Sequence, residues 1–166
     1  MLVPDPFDRL RPAMPTPRNE ICSCLGHPPI KLMWALSQNP IHCLDCNLEV
    51  DPTALPLPGS LVEPVAHWCA VDGAIETLEL DSGPYEAWAR RELLDATSPV
   101  NLEGLELRAK LHEIRRCYYW FSQPEGDDEY VVPDDCPVCR QSMTAYDGGV
   151  FPQLTCERCS VVIPRP

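Results

Sequence analysis

The chain has 166 residues, 20 of them proline and 10 of them cysteine, and a formal net charge of −12. Proline near 12 %, against roughly 5 % in average proteins, is the outlier and points to small modules in a proline-rich frame, while plentiful leucine, valine and tryptophan argue against disorder throughout. The acidity works against a phosphate-backbone partner and favours solubility or a basic protein partner. Small modules in a proline-rich frame rarely bury enough apolar surface alone, so metals or disulfides are expected to brace them.

The cysteines choose between these. Residues 1–17 (MLVPDPFDRLRPAMPTP) contain no apolar signal core, and no apolar run spans a bilayer. The expected compartment is the cytoplasm, where thiols stay reduced and paired cysteines bind metal more often than they bridge. No membrane partner is expected.

In chain order, residues 1–18, with Pro4, Pro6, Pro12, Pro15 and Pro17, read as an extended, poorly ordered arm. Residues 19–60 form a first cysteine module, closed by the proline-punctuated VDPTALPLPG. Residues 61–122 form a central segment without paired cysteines. In it, residues 65–71 (VAHWCAV) read as a short strand or buried segment. Ser82 then reads as an N-cap, with Pro84 in the first turn of a helix over 85–96. Ser98-Pro99 interrupts that helix, and Asn101 reads as the N-cap of another. There Leu107, Leu111, Ile114 and Tyr118 step by four, three and four along one helix face. The aromatic CYYWF of residues 117–121 predicts a strand.

Six carboxylates (Glu125, Asp127, Asp128, Glu129, Asp134 and Asp135) precede the last group of cysteines without a basic residue among them. They read as a solvated loop, with a docking patch for a basic partner as the sharper alternative. Residues 123–166 form the last module. The expected class is therefore α+β, two small zinc-ribbon modules flanking a central segment of two helices and short strands.

The last module carries the clearest chemistry. Cys136-Pro-Val-Cys139 and Cys156-Glu-Arg-Cys159 are two turns whose sulfurs can each meet one ion, and four sulfurs at about 2.3 Å complete a zinc tetrahedron. Four thiolates suit iron as well, but nothing else in the sequence suggests redox work. In the first module Cys43-Leu-Asp-Cys46 is an ordinary half-site. Its complement is either Cys22 with Cys24, or Cys24 with His27 across a two-residue gap; the four-cysteine set is preferred, and His42 is a bystander. Two zinc ions are thus expected, on Cys22, Cys24, Cys43 and Cys46 and on Cys136, Cys139, Cys156 and Cys159. Four thiolates around each divalent ion would carry the net charge to about −16.

Closed four-sulfur shells leave no position for a reacting water, so no catalytic residue is expected and the chain reads as non-enzymatic. Cys69 and Cys117 lie in apolar or aromatic surroundings and read as buried thiols rather than nucleophiles served by His67 or His112. Arg108, Lys110, Arg115 and Arg116, next to Tyr118, Tyr119 and Trp120, offer the one nucleic-acid alternative, a basic and aromatic platform for a single strand.

The order of CLGHP, HCLDC, LPLPG, ELDSGPYEAWARREL, SPVNLEGLEL, CYYWF and CPVC…CERC resembles a family of uncharacterised bacterial zinc-ribbon proteins with a nucleic-acid-binding label, and the related double-CxxCG-motif proteins. The likeness covers roughly residues 20–162. It implies metal ligation by Cys43, Cys46, Cys136, Cys139, Cys156 and Cys159. Where that family places glycine after the second cysteine, this chain has Asn47, Arg140 and Ser160. The expected partner remains another protein, through an adaptor or immunity-type role.

Overall fold

A computed structural model describes residues 5–11, 16–124 and 130–165 of the chain. The described residues form three α-helices packed on one another and one mixed sheet of six strands, on which the last of the helices lies directly. The strands are β1 (Ile30–Leu32), β2 (Ile41–Cys43), β3 (Cys117–Trp120), β4 (Thr144–Tyr146), β5 (Gln153–Cys156) and β6 (Val161–Pro164), ordered β2-β1-β3-β6-β5-β4. β1 and β2 are antiparallel, as are β4, β5 and β6; β3 joins the two groups by lying parallel to both β1 and β6. One sheet therefore runs through both cysteine modules and the central segment.

The α+β class is found, with a cysteine cluster on either side of the helical centre. α2 (Glu86–Leu94) and α3 (Pro99–His112) occupy the two helices the sequence predicts. Residues 65–71 depart from expectation: they lie inside α1 (Gly59–Asp81), not in a strand. The reason is spacing. Leu61, Val65, Trp68, Asp72, Ile75 and Glu79 are all buried, at intervals of three and four residues that a strand could not keep on one side. Pro64, near the start of α1, lacks the N–H that a fully helical residue would donate back to the first turn, and the helix continues past it.

α3 begins earlier than predicted. Ser98 is its N-cap, accepting from the Asn101 backbone N–H, and Pro99 fills the first turn, where its missing N–H costs nothing. Tyr118, expected on the face of that helix, belongs to β3 instead. The proline-rich arm is also corrected at one point: Asp8–Leu10 forms a 3-10 turn, and Leu10 is wholly buried in the core.

Alternation along β3 sorts the aromatic run into two faces. Tyr119 and Phe121 join the main core with the helices; the Trp68 and Tyr119 rings meet edge-on with centroids 5.9 Å apart. Gly104 of α3 permits this approach, since a Cβ there would lie 2.3 Å from Tyr119 Cε2. Tyr118 and Trp120 point the other way, into a smaller cluster with Leu44, Val162 and Tyr146. Loops of both cysteine modules cover that second face.

Candidate metal centres

Two of the ligand turns are built by the same backbone device. In Cys43–Cys46 the Asn47 N–H donates to the Cys43 carbonyl at 3.1 Å, and the Cys43 N–H donates to the Leu48 carbonyl at 2.8 Å. In Cys136–Cys139 the Arg140 N–H donates to the Cys136 carbonyl and the Cys136 N–H to the Gln141 carbonyl, both at 2.8 Å. Such a turn closes with a left-handed residue. Asn47 (φ 62°), Arg140 (φ 60°) and Ser160 (φ 47°) fill that position after Cys46, Cys139 and Cys159. These are the three places where the resembled family carries glycine, and the conformation explains why.

The turns bring together the two four-cysteine sets expected from the sequence. The sulfurs of Cys22, Cys24, Cys43 and Cys46 lie within 4.8 Å of one another, and so do those of Cys136, Cys139, Cys156 and Cys159. Cys139 Sγ and Cys156 Sγ are 3.7 Å apart. Sulfurs at the corners of a tetrahedron with arms of about 2.3 Å stand roughly 3.8 Å apart, so this pair has the spacing of two thiolates on one ion. Cys22 is set by a backbone pairing, its N–H donating to the Glu49 carbonyl at 2.7 Å, while Cys24 sits at the exposed rim. His27, the alternative ligand, is not in the cluster. Its Nδ1 lies 3.0 Å from Arg115 Nη2, which donates to it.

The thiols differ in how readily they ionise. The Gln141 backbone N–H, and then the neighbouring thiols, bring Cys139 down to about 7. Burial pushes Cys136 up to about 11 against two backbone N–H donors. In the first cluster burial opposes ionisation of Cys46, but the Leu48 N–H and the other three thiols outweigh it and lower that thiol. Burial raises Cys43. Each cluster thus holds one thiol whose surroundings favour the thiolate and a buried one whose surroundings oppose it.

Lys31 lies in the sheet face next to the first cluster and is wholly buried. Its Nζ stands 4.2 Å from the Trp120 ring centroid, 5.0 Å from that of Phe151 and 3.4 Å from Gln153 Oε1, to which it donates. Burial brings its ammonium down to about 7, and the thiols of Cys43 and Cys46 pull the other way. Nothing in the sequence marked this residue, because a lysine between Ile30 and Leu32 reads as the solvent side of a strand.

The remaining candidates have other partners. Cys69 donates to the Ser37 carbonyl at 3.7 Å and Cys117 to the Tyr118 carbonyl at 3.6 Å; burial pushes both thiols up to about 12. His112 Nδ1 meets the Cys117 backbone, and His67 is exposed. His42 Nδ1 meets the Asn47 carbonyl at 3.1 Å. Among the basic residues, Lys110 pairs with Glu106 at 2.7 Å and Arg116 with Glu157, while Tyr118 and Tyr119 are buried. Of the six carboxylates, Asp134 pairs with Arg165 at 2.9 Å and Asp135 accepts from Ser142 at 3.0 Å. Glu125, Asp127, Asp128 and Glu129 lie outside the described residues.

Among the described residues no helix is long and apolar enough to cross a membrane. The chain matches no family model, and it matches neither a curated protein nor a solved structure.

Proposed function

We propose that the protein is a non-enzymatic zinc protein whose two ions are structural, and that it acts by binding another protein, as an adaptor or immunity-type factor. The observation that carries this reading is the pair of four-sulfur clusters, whose ligand atoms lie within 4.8 Å of one another. Four thiolates fill the tetrahedral shell and leave no position for a reacting water, so the ion cross-links turns instead of activating a substrate. The chain's own residues do the rest: backbone N–H groups of Leu48 and Gln141 receive the sulfur charge, and Asn47, Arg140 and Ser160 close the turns.

The partner is assigned to protein on charge and on what the basic segment already touches. A net charge of −12, more negative still with thiolates around zinc, repels a phosphate backbone. Lys110, Arg115 and Arg116 are engaged by Glu106, His27 and Glu157, and two of the three adjacent aromatics are buried. A stacking platform needs those rings exposed.

Metal analysis of the purified protein tests the first half: two zinc atoms per chain are expected, and iron in their place overturns the metal assignment. Affinity purification under native conditions tests the second. A stoichiometric protein partner is expected; recovery of nucleic acid alone, with binding that weakens steeply as salt rises, overturns it.

A further inference from the structure

The first ligand turn does not stand alone; residues of the second module hold it from outside. Gln153, only 1 % exposed, donates from Nε2 to the Leu44 carbonyl at 3.2 Å. Its Oε1 accepts from buried Lys31. Gln153 opens β5, the strand that ends in the ligand Cys156, and Leu44 follows the ligand Cys43. Beside this contact, Asp45 of the same turn accepts from the Tyr146 hydroxyl of β4, and its carbonyl accepts from the Val150 N–H at 2.8 Å. Return contacts run from the second turn to the middle of the sheet. Glu157, between Cys156 and Cys159, accepts from the Tyr118 hydroxyl at 2.7 Å and from Arg116, whose carbonyl accepts from the Ile30 N–H.

These contacts have a thermodynamic consequence. Without an ion, no bond joins the sulfurs of the 43–46 turn to those of Cys22 and Cys24; the backbone pairing of Cys22 with Glu49 stays, but the turn is freer to move against its Leu44 and Asp45 contacts. Gln153 and Lys31 are then left buried with fewer partners, at a cost to β5 and hence to the geometry around Cys156. An ion at either cluster therefore stabilises the arrangement the other needs, and linkage makes the effect equal in both directions.

We infer that the two centres load as a coupled pair through the Leu44–Gln153 and Asp45–Tyr146–Val150 contacts, so that an ion at one raises affinity at the other. The inference rests on reading both clusters as metal centres, and the test separates the two ideas. The full metal-free chain is titrated with Zn²⁺, and chains carrying no, one or two ions are counted by native mass spectrometry. Two independent sites of any affinities put at least about half the chains in the one-ion state at half-saturation; coupling depresses that share.

The expected result is a one-ion share lower in the natural chain than in Y146F/Q153L, which keeps all eight ligands; a share below half shows coupling whatever the two affinities. A one-ion share no higher in Y146F/Q153L than in the natural chain overturns coupling through these contacts. Failure of both clusters to take up Zn²⁺ overturns the metal reading and the coupling with it. Should Y146F/Q153L not fold, chelator competition on C136S/C139S decides. Affinity at the first centre falls by about 5–150-fold if the centres are coupled, and an unchanged affinity overturns the proposal.

Discussion

The side chain of Asn101 receives the Tyr119 hydroxyl on its Oδ1 at 2.8 Å and, through Nδ2, closes the end of the neighbouring helix. That amide donates to the carbonyls of Leu93 at 2.9 Å and Asp95 at 2.8 Å, with Glu92 and Ser98 Oγ each at 3.1 Å. One buried residue thus joins α2, α3 and β3. Asn101→Ala would leave a buried tyrosine hydroxyl and the last carbonyls of α2 short of partners. We expect a loss of about 2–4 kcal/mol in denaturant unfolding of the metal-loaded protein, with secondary structure otherwise kept.

Cys24 and His27 give opposite outcomes. Cys24 belongs to the first sulfur cluster, and His27 is turned towards Arg115. Cys24→Ser should lower bound metal from two ions towards one, whereas His27→Gln should leave two, counted by elemental analysis against protein concentration.

Arg140 holds a left-handed backbone at φ 60°. A non-glycine residue there costs about 1–2 kcal/mol, part of which glycine gives back through its freer unfolded chain. Arg140→Gly should therefore raise stability by about 0.5–1 kcal/mol without changing metal content. A thermal melt of the zinc-loaded protein reads the difference.

Asp72, 5 % exposed in α1, sits near Cys69 and Glu76 of the same helix and Tyr119 of β3. Burial, and then the charge of Glu76, push its carboxyl up from the usual 3.8 to about 7. Between about pH 4 and 7 the folded chain keeps a proton that the unfolded chain has released, so stability falls as pH rises through this window and levels off above it. Asp72→Asn removes that dependence. The variant should gain roughly 1–3 kcal/mol over the natural chain at pH 8 and progressively less towards pH 6, measured by denaturant unfolding with zinc present.

Local chemistry made three of the four cysteine pairs legible, since CxxC spacing brings two sulfurs to one turn whatever surrounds them, whereas Cys22-Ser-Cys24 left its cluster open to His27. The same locality explains the errors. Asn101 reads as an N-cap because it precedes a helical run, yet its amide serves a different helix, a relationship only tertiary packing creates. The segment VAHWCAV looks strand-like by composition, while its burial at Val65, Trp68 and Cys69 follows the helical period set by residues on either side of it. His27 and Lys31 show the limit most directly. A two-residue gap made His27 a candidate ligand, but the chain turns left-handed at Gly26 and His27, and its imidazole meets Arg115. Lys31 is buried because loops from the far end of the chain fold over its strand.

The parallel seam at β3 also bears on how the protein is made. Ile30 of β1 lies opposite Cys117, and Tyr119 of β3 lies opposite Val161, so the centre of the sheet draws on the beginning, the late middle and the last residues of the described chain. During synthesis the first cysteine turn leaves the ribosome long before Gln153 and Tyr146 exist to hold it, and β3 waits with an open edge until β6 arrives. A nascent chain halted before Val161 carries that edge exposed, a template for aggregation, so the sheet closes only once β6 has been made.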